Sequence, residues 1–233
     1  LLNSVFPAPT AARAHTCQRT IDVVLGALSK ALPDKVIAAA NGANTTAVFS
    51  GVDPRTDKPY VYLETLGGGM GARPEKDGKD GVQVHITNTS NLPVEAIEQE
   101  YPLRVEEYSL VQDSGGAGRF RGGMGLRRVI TPVKHKCVFN GAGERFRYQP
   151  WGLFGGKAGG SGQFILRDED GERRLDDKPD KVQIDDDDRI VIETPGAGGY
   201  GAPKERSPEA LELDFRSGKF TATYIEENFG EST

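Results

Sequence analysis

Thr16-Cys17-Gln18-Arg19-Thr20-Ile21-Asp22-Val23-Val24-Leu25-Gly26-Ala27-Leu28-Ser29-Lys30-Ala31-Leu32-Pro33 sets Ile21, Val24, Leu25, Leu28 and Leu32 three or four residues apart. A helix completes a turn in 3.6 residues, so this spacing gathers the five apolar side chains on one stripe. Thr16 offers a hydroxyl to cap the first turn, and Pro33, which lacks an amide hydrogen, ends the pattern. The stretch predicts an amphipathic helix whose stripe packs as ordinary core. Upstream, Pro7 and Pro9 each fix their own φ and disfavour helix in the preceding residue, so the chain leads in extended. Residues 1–40 therefore read as a lead-in segment and helix, and residues 41–233 as a separate body.

From residue 45 the apolar period shortens toward two. Strands are predicted at 45–50, 60–66, 82–89, 103–112, 136–140, 163–167 and 189–194. Ser217-Gly218 reads as a hairpin turn between strands at 211–215 and 220–225. Pro93 sits at the first position of a short helix over 94–98. Glycine-rich knots recur at 67–71, 115–125, 155–162 and 196–201. The fold class is α+β and β-rich: one amphipathic N-terminal helix packed on a glycine-punctuated, mostly antiparallel β body.

Composition excludes several functions. Hydrophobic residues make up 36% of the 233, with 30 Gly and 14 Pro, so loops are plentiful. The formal charge of −5 is interspersed and leaves no basic stripe to track a phosphate backbone, so nucleic acid is not an expected partner. No apolar run approaches the ~20 residues that span a bilayer, and no signal-peptide order opens the chain, so a cytoplasmic protein without membrane contact is expected. Cys17 and Cys137 belong to no Cys-x-x-Cys pair and are expected as reduced thiols. The start at Leu1-Leu2-Asn3, without methionine, leads us to expect an upstream part that is removed or carried on another polypeptide.

Gly196-Ala197-Gly198-Gly199-Tyr200-Gly201 fits G-x-G-x-x-G, and Asp214 falls in the next candidate strand. A dinucleotide site also needs a helix directly after the loop, where Pro203 and Pro208 stand. Gly67-Gly68-Gly69-Met70-Gly71-Ala72 leads into loop material, and no phosphate-cradling G-x-x-x-x-G-K-[ST] occurs. His15/Cys17 and His135/Cys137 would supply four zinc ligands if the two pairs met in space. Asp185 to Asp188 lack the alternation and glycine of a calcium loop and read as a solvated turn. His85, in Val84-His85-Ile86-Thr87-Asn88-Thr89, shares one face with Thr87 and Thr89 on a strand, with Asn88 on the other.

The order of several stretches resembles the hydantoinase B/oxoprolinase family. They are Phe6-Pro7-Ala8-Pro9 with Arg13, Gln18-Arg19-Thr20-Ile21-Asp22-Val23-Val24-Leu25-Gly26-Ala27-Leu28, Glu64-Thr65-Leu66-Gly67-Gly68-Gly69-Met70-Gly71-Ala72, and Asp80-Gly81-Val82 with His85 and Thr87-Asn88-Thr89. Pro93-Val94-Glu95, Tyr101-Pro102-Leu103-Arg104-Val105-Glu106 and Asp113-Ser114-Gly115-Gly116-Ala117-Gly118-Arg119-Phe120-Arg121-Gly122-Gly123 follow. Pro150-Trp151-Gly152-Leu153-Phe154-Gly155-Gly156 and Glu193-Thr194-Pro195-Gly196-Ala197-Gly198-Gly199-Tyr200-Gly201 complete the series.

The resemblance implies the C-terminal part of a B-type subunit in an ATP-dependent enzyme that opens cyclic amides such as hydantoin, oxoproline or a lactam. It implies no cofactor on this chain. ATP and Mg would sit on an A-type partner, and a divalent metal (Zn, Mn or Fe) in an upstream part of the B-type subunit. His85 and Asn88 become the candidate catalytic residues, Arg19 and Arg145 the candidate substrate-binding ones. The related ketone carboxylases, which use similar subunits, form an alternative branch, and a non-catalytic assembly module forms another.

Overall fold

The computed structural model describes residues 5–8, 13–42 and 44–230. Pro9 of the lead-in and the Leu1-Leu2-Asn3 start lie outside the described residues. Two antiparallel sheets form the body, the first in strand order β2-β1-β5-β8 and the second in order β3-β4-β9-β6-β7. The strands of the first sheet are β1 (Thr45–Asp53), β2 (Lys58–Leu66), β5 (Cys137–Ala142) and β8 (Val182–Ile184). Those of the second are β3 (Leu103–Leu110), β4 (Leu126–Pro132), β6 (Gln163–Asp168), β7 (Gly171–Arg174) and β9 (Arg189–Glu193). Strand alternation turns one set of side chains inward: Phe49, Leu66, Phe139 and Ile184 from the first sheet share one core with Ile130, Phe164, Ile190 and Ile192 from the second. A short helix α2 (Val94–Glu100), for which Pro93 is the N-cap rather than the first helical residue, adds Ile97 to that core.

The N-terminal helix, α1, runs Arg13–Leu28. Thr16 therefore lies inside it and does not cap it; its carbonyl instead accepts from Thr20 Oγ1 at 2.9 Å. The helix stops before Pro33, in turns that close on the carbonyls of Gly26 and Leu28. Its orientation overturns the core-packing expectation. Gln18 and Asp22 are buried, whereas Val24, Leu28 and Leu32 are exposed, Val24 by 50%. Gln18 and Asp22, one turn apart, find hydrogen-bond and charge partners in the body, and that recovers their desolvation. Of the apolar stripe, Val24, Leu28 and Leu32 face outward, while Ile21 and Leu25 are half-buried.

Two other expectations fail for identifiable reasons. Residues 82–89 are not a strand: Val82 makes an isolated bridge to Gly68, and His85 has φ +59°, which no ladder accommodates. The carbonyl of Val84 accepts from Gln18 Nε2 at 3.0 Å and Thr87 Oγ1 at 3.3 Å instead of from a neighbouring strand. The expected hairpin around Ser217-Gly218 is a pair of helices, α3 (Pro208–Arg216) and α4 (Ala222–Phe229). Ser207 accepts from the Ala210 amide, Pro208 opens the first turn, and Thr221 accepts from the Tyr224 amide. Leu211, Phe220, Tyr224, Ile225 and Phe229 then pack on Ala117 and Met124. Asp214 thus lies on a helix and not a strand, and Pro208 starts a helix where it was expected to prevent one.

The glycine knots are the scaffold of one end of the body. Gly69 N donates to Pro195 O at 3.0 Å, Gly116 N to Ala197 O at 2.8 Å, Gly123 N to Met70 O at 3.0 Å and Gly199 N to Lys157 O at 2.9 Å. The amides of Gly196, Gly198, Gly199, Tyr200 and Gly201 are consumed in this web, Gly198 N by Ala39 O at 2.9 Å and Gly201 N by Leu153 O at 3.0 Å. The loop that fits a dinucleotide pattern therefore spends its donors on neighbouring loops. Only bare backbone lets these segments approach so closely: a Cβ on Gly196 would stand 1.8 Å from Ser114 O. Among the described residues no helix is long and apolar enough to cross a membrane.

Candidate functional site

The web delivers residues 38–42 alongside the polar face of α1. Asn41 N donates to Gly69 O at 2.9 Å, and Gly42 follows with φ +64°. A side chain there would meet Arg19 Nη1 at 2.7 Å, Arg145 Nε at 2.8 Å and Asp22 Oδ2 at 3.2 Å. Glycine at this position is what allows two guanidinium groups and a carboxylate to converge.

Asp22 is the hub. Its Oδ1 accepts from His85 Nε2 at 3.0 Å and its Oδ2 from Arg145 Nη2 at 2.8 Å, while the Ala40 amide reaches Oδ1 at 3.4 Å. A carboxylate only accepts, so the contact puts a proton on His85 Nε2; in the corresponding neutral tautomer Nδ1 is the acceptor. Arg145 is buried over the Trp151 ring, 4.4 Å from its centroid, and donates to Gln149 O at 3.4 Å. Burial lowers the Arg145 pKa against the raising effect of Asp22, and the nearby charge of Arg19 lowers it further. Arg145 adopts φ +61° and His85 φ +59°. For residues with a Cβ this left-handed backbone costs about 1–2 kcal/mol each, so the surrounding contacts hold both in place. Gln18 Nε2 joins the cluster to Asn44 Oδ1 at 2.9 Å. Arg19 and Arg145 line an open cavity of about 520 Å³ with Glu144, Arg147, Asp177 and Lys178 on its walls.

Three of the four residues singled out from sequence, Arg19, His85 and Arg145, therefore gather around Asp22 and Gly42. Asn88 does not: it is exposed, beyond the turn that His85 opens. Asp22, Gln18 and Gly42 were not foreseen as site residues. A signal existed for two of them, since Gln18 and Asp22 recur four residues apart on the polar side of α1. The two His-x-Cys pairs do not assemble. His15 and Cys17 lie on a helix, where residues two apart diverge. His135 Nε2 is engaged with Tyr60 Oη at 2.7 Å and Cys137 is buried in the core. Among the described residues no three His, Cys, Asp or Glu side chains are grouped to hold a metal ion.

A two-sheet α+β module with a buried Asp–His–Arg cluster between helix and glycine web is the class of protein that fold and site define. The chain belongs to the hydantoinase B/oxoprolinase family, whose model matches residues 1–203. It is 38% identical over 223 residues to an uncharacterized protein of Methanocaldococcus jannaschii, covering 95% of this chain and 38% of that protein. It is 33% identical over 231 residues to the caprolactamase subunit beta of Pseudomonas jessenii, covering 94% of this chain and 39% of the subunit. A chain in the crystal structure of the ATP-dependent caprolactamase from Pseudomonas jessenii superimposes with a TM-score of 0.83 at 27% identity, covering 98% of this chain and 41% of that one. The chain thus spans about two-fifths of the length of these relatives.

Proposed function

We propose that this chain is the B-type part of a cytoplasmic, ATP-dependent hydrolase of small cyclic amides, acting with an upstream B-type part and an A-type partner. The observation that carries the reading is the Asp22–His85–Arg145 cluster beside a cavity, on a fold shared with a caprolactamase chain. A lactam resists water because its nitrogen donates into the carbonyl. Phosphorylation of the carbonyl oxygen on the A-type partner makes the carbon a better electrophile. His85 Nδ1 then accepts the proton of the attacking water and returns it to the ring nitrogen as the C–N bond breaks, with Asp22 holding the imidazole and stabilising its charged form; a second water hydrolyses the resulting acyl phosphate to the carboxylate and inorganic phosphate. ATP and Mg would be held by the A-type partner and the divalent metal by the upstream B-type part.

The test is reconstitution of the three parts and measurement of ATP-dependent opening of caprolactam, 5-oxoproline and hydantoin. No turnover on any of the three rings rejects the reading, and bicarbonate-dependent carboxylation of a ketone would move the chain to the carboxylase branch. The isolated chain is expected to show neither ATPase nor amidase activity. A second reading is favoured by the outward-facing Val24 and Leu28 of α1: a non-catalytic assembly module whose helix docks on another part. Full turnover in complexes lacking the His85 imidazole would select it.

A further inference from the structure

We propose that Arg19 and Arg145 form a subsite for one oxyanion, the carboxylate or phosphoryl group of a small ligand, where they line the cavity beside α1. Arg19 Nη1 and Arg145 Nε converge on Gly42, at 2.7 and 2.8 Å from where a Cβ would lie and with Asp22 Oδ2 at 3.2 Å; that position is packed, so a bound anion would sit on the cavity side of the two guanidinium groups. Like charges at such range repel unless an anion lies between them. Asp22 does not fill that role for both: it ion-pairs with Arg145 at 2.8 Å but lies beyond ion-pair distance of Arg19. Arg19 Nη1 and Arg145 Nε are buried without a hydrogen-bond partner. Arg145 is 4% exposed, so its unmet donor lies inside the protein rather than at its surface.

The remaining charges of the cavity do not answer those demands. Arg147 Nε binds Asp177 Oδ2 at 2.7 Å and Lys178 Nζ binds Glu144 Oε1 at 3.1 Å, which pairs off the wall charges among themselves. Asp176 lies on the exposed rim. Arg19 is left as a cation whose fork of N–H donors suits a planar or tetrahedral oxyanion. The cavity of about 520 Å³ is the size of a small-molecule pocket. The inference rests on the cyclic-amide reading only for the source of the anion, since ring opening yields a carboxylate and activation yields a phosphoryl group.

The experiment compares the melting temperature of the purified protein that carries this chain with that of its Arg19→Gln variant. Sodium phosphate or sodium acetate is added while sodium chloride keeps the ionic strength constant. At tenfold excess over the dissociation constant, the unsubstituted protein is expected to melt about 3–6 °C higher. Phosphate acting alone identifies a phosphoryl site, and acetate acting as well identifies a carboxylate site. Arg19→Gln breaks no hydrogen bond and relieves repulsion against Arg145, so without anion it should melt no lower, and it should lose the anion-dependent rise. No rise with either anion, an equal rise in the variant, or a variant that melts lower without anion would each overturn the subsite. Binding needs no turnover, so failure of ring opening leaves this result standing, and failure here leaves the hydrolase reading standing.

Discussion

His85 Nε2 reaches Asp22 Oδ1 at 3.0 Å across 63 residues of chain, from a backbone that holds φ at +59°. The contact and the strain belong together, because releasing the backbone would withdraw the ring. Replacing His85 with glycine should therefore give a protein about 1 kcal/mol more stable than replacing it with alanine, as glycine adopts this φ without steric penalty. Both variants should assemble with the partner chains while ring-opening turnover falls by about 10²–10⁴. Denaturant unfolding and steady-state turnover check the two halves, and near-normal turnover in a fully assembled His85→Ala complex returns His85 to a structural role.

Asp22 is the only carboxylate hydrogen-bonded to Arg145 among the described residues, and both are buried. Asp22→Asn leaves a guanidinium inside the protein without its counter-charge and should cost about 3–5 kcal/mol in urea unfolding. Adding Arg145→Met should recover a good part of that loss, since no unpaired charge then remains. A double variant no more stable than the single one would show that packing, rather than charge, sets the value of the pair.

Gly196 stands where a Cβ would lie 1.8 Å from Ser114 O, whereas a Cβ on Gly26 in α1 meets at nearest the Trp151 ring at 3.3 Å. Gly196→Ala should therefore collapse soluble yield or lower the melting temperature by ten degrees or more, on the order of 3 kcal/mol or above. Gly26→Ala should stay within about 1 kcal/mol of the parent. Equal melting of the two variants would show that the web yields more easily than its contacts indicate.

Asp77 accepts from both Arg206 Nη1 and Nη2 at 2.8 Å, and Arg206 also grips Asp214 beside Arg121. Burial pushes the Asp77 pKa up, but the Arg206 hydrogen bonds and charge, with Arg121, hold it below the ordinary value. A carboxyl with a depressed folded pKa stabilises fully above its unfolded value, near pH 4. That contribution is lost as pH falls through the lower folded value. Asp77→Asn should lower stability at pH 7 and flatten the loss of stability as pH falls below about 4. An acid limb of unchanged steepness would remove Asp77 from the acid-sensitive groups.

Cys137 is buried in the core and its thiol is pushed up to about 11 by burial, whereas Cys17 is exposed on α1. A thiol reagent at pH 8 should modify one cysteine in the native protein and two after denaturation. Rapid labelling of two thiols without denaturant would contradict the packing around Phe139.

Period-two patterning located β1, β2, β3 and β5, where more and less buried positions alternate, and also β6 and β9, whose central residues are buried on both faces. It missed β4, where Arg127 and Arg128 interrupt the alternation. Arg128 is wholly buried between the sheets on Glu64 and over the Tyr108 ring, a placement no hydropathy rule anticipates. Residues 211–229 were misread because their apolar residues alternate locally while Ser207, Pro208 and Thr221 supply helix starts that decide the matter. Within the site, Arg19, His85 and Arg145 were legible through the resemblance. The convergence on Asp22 was not, because it depends on α1 turning its polar side inward, and an apolar stripe on the same helix argues for the reverse.

The glycine loops carry a consequence for how the protein breathes. Their amides donate across loops, Gly69 to Pro195, Gly116 to Ala197, Gly160 to Ser114 and Gly198 to Ala39, so none is released without disturbing its neighbours. In deuterated solvent these irregular segments should hold their protons as long as the interiors of the sheets do, while the peripheral α3 and α4 exchange first. A unit without regular secondary structure would then open as slowly as the sheets themselves, and the residues that receive Asp22 and Gln18 of α1 would rest on a clasp of bare backbone.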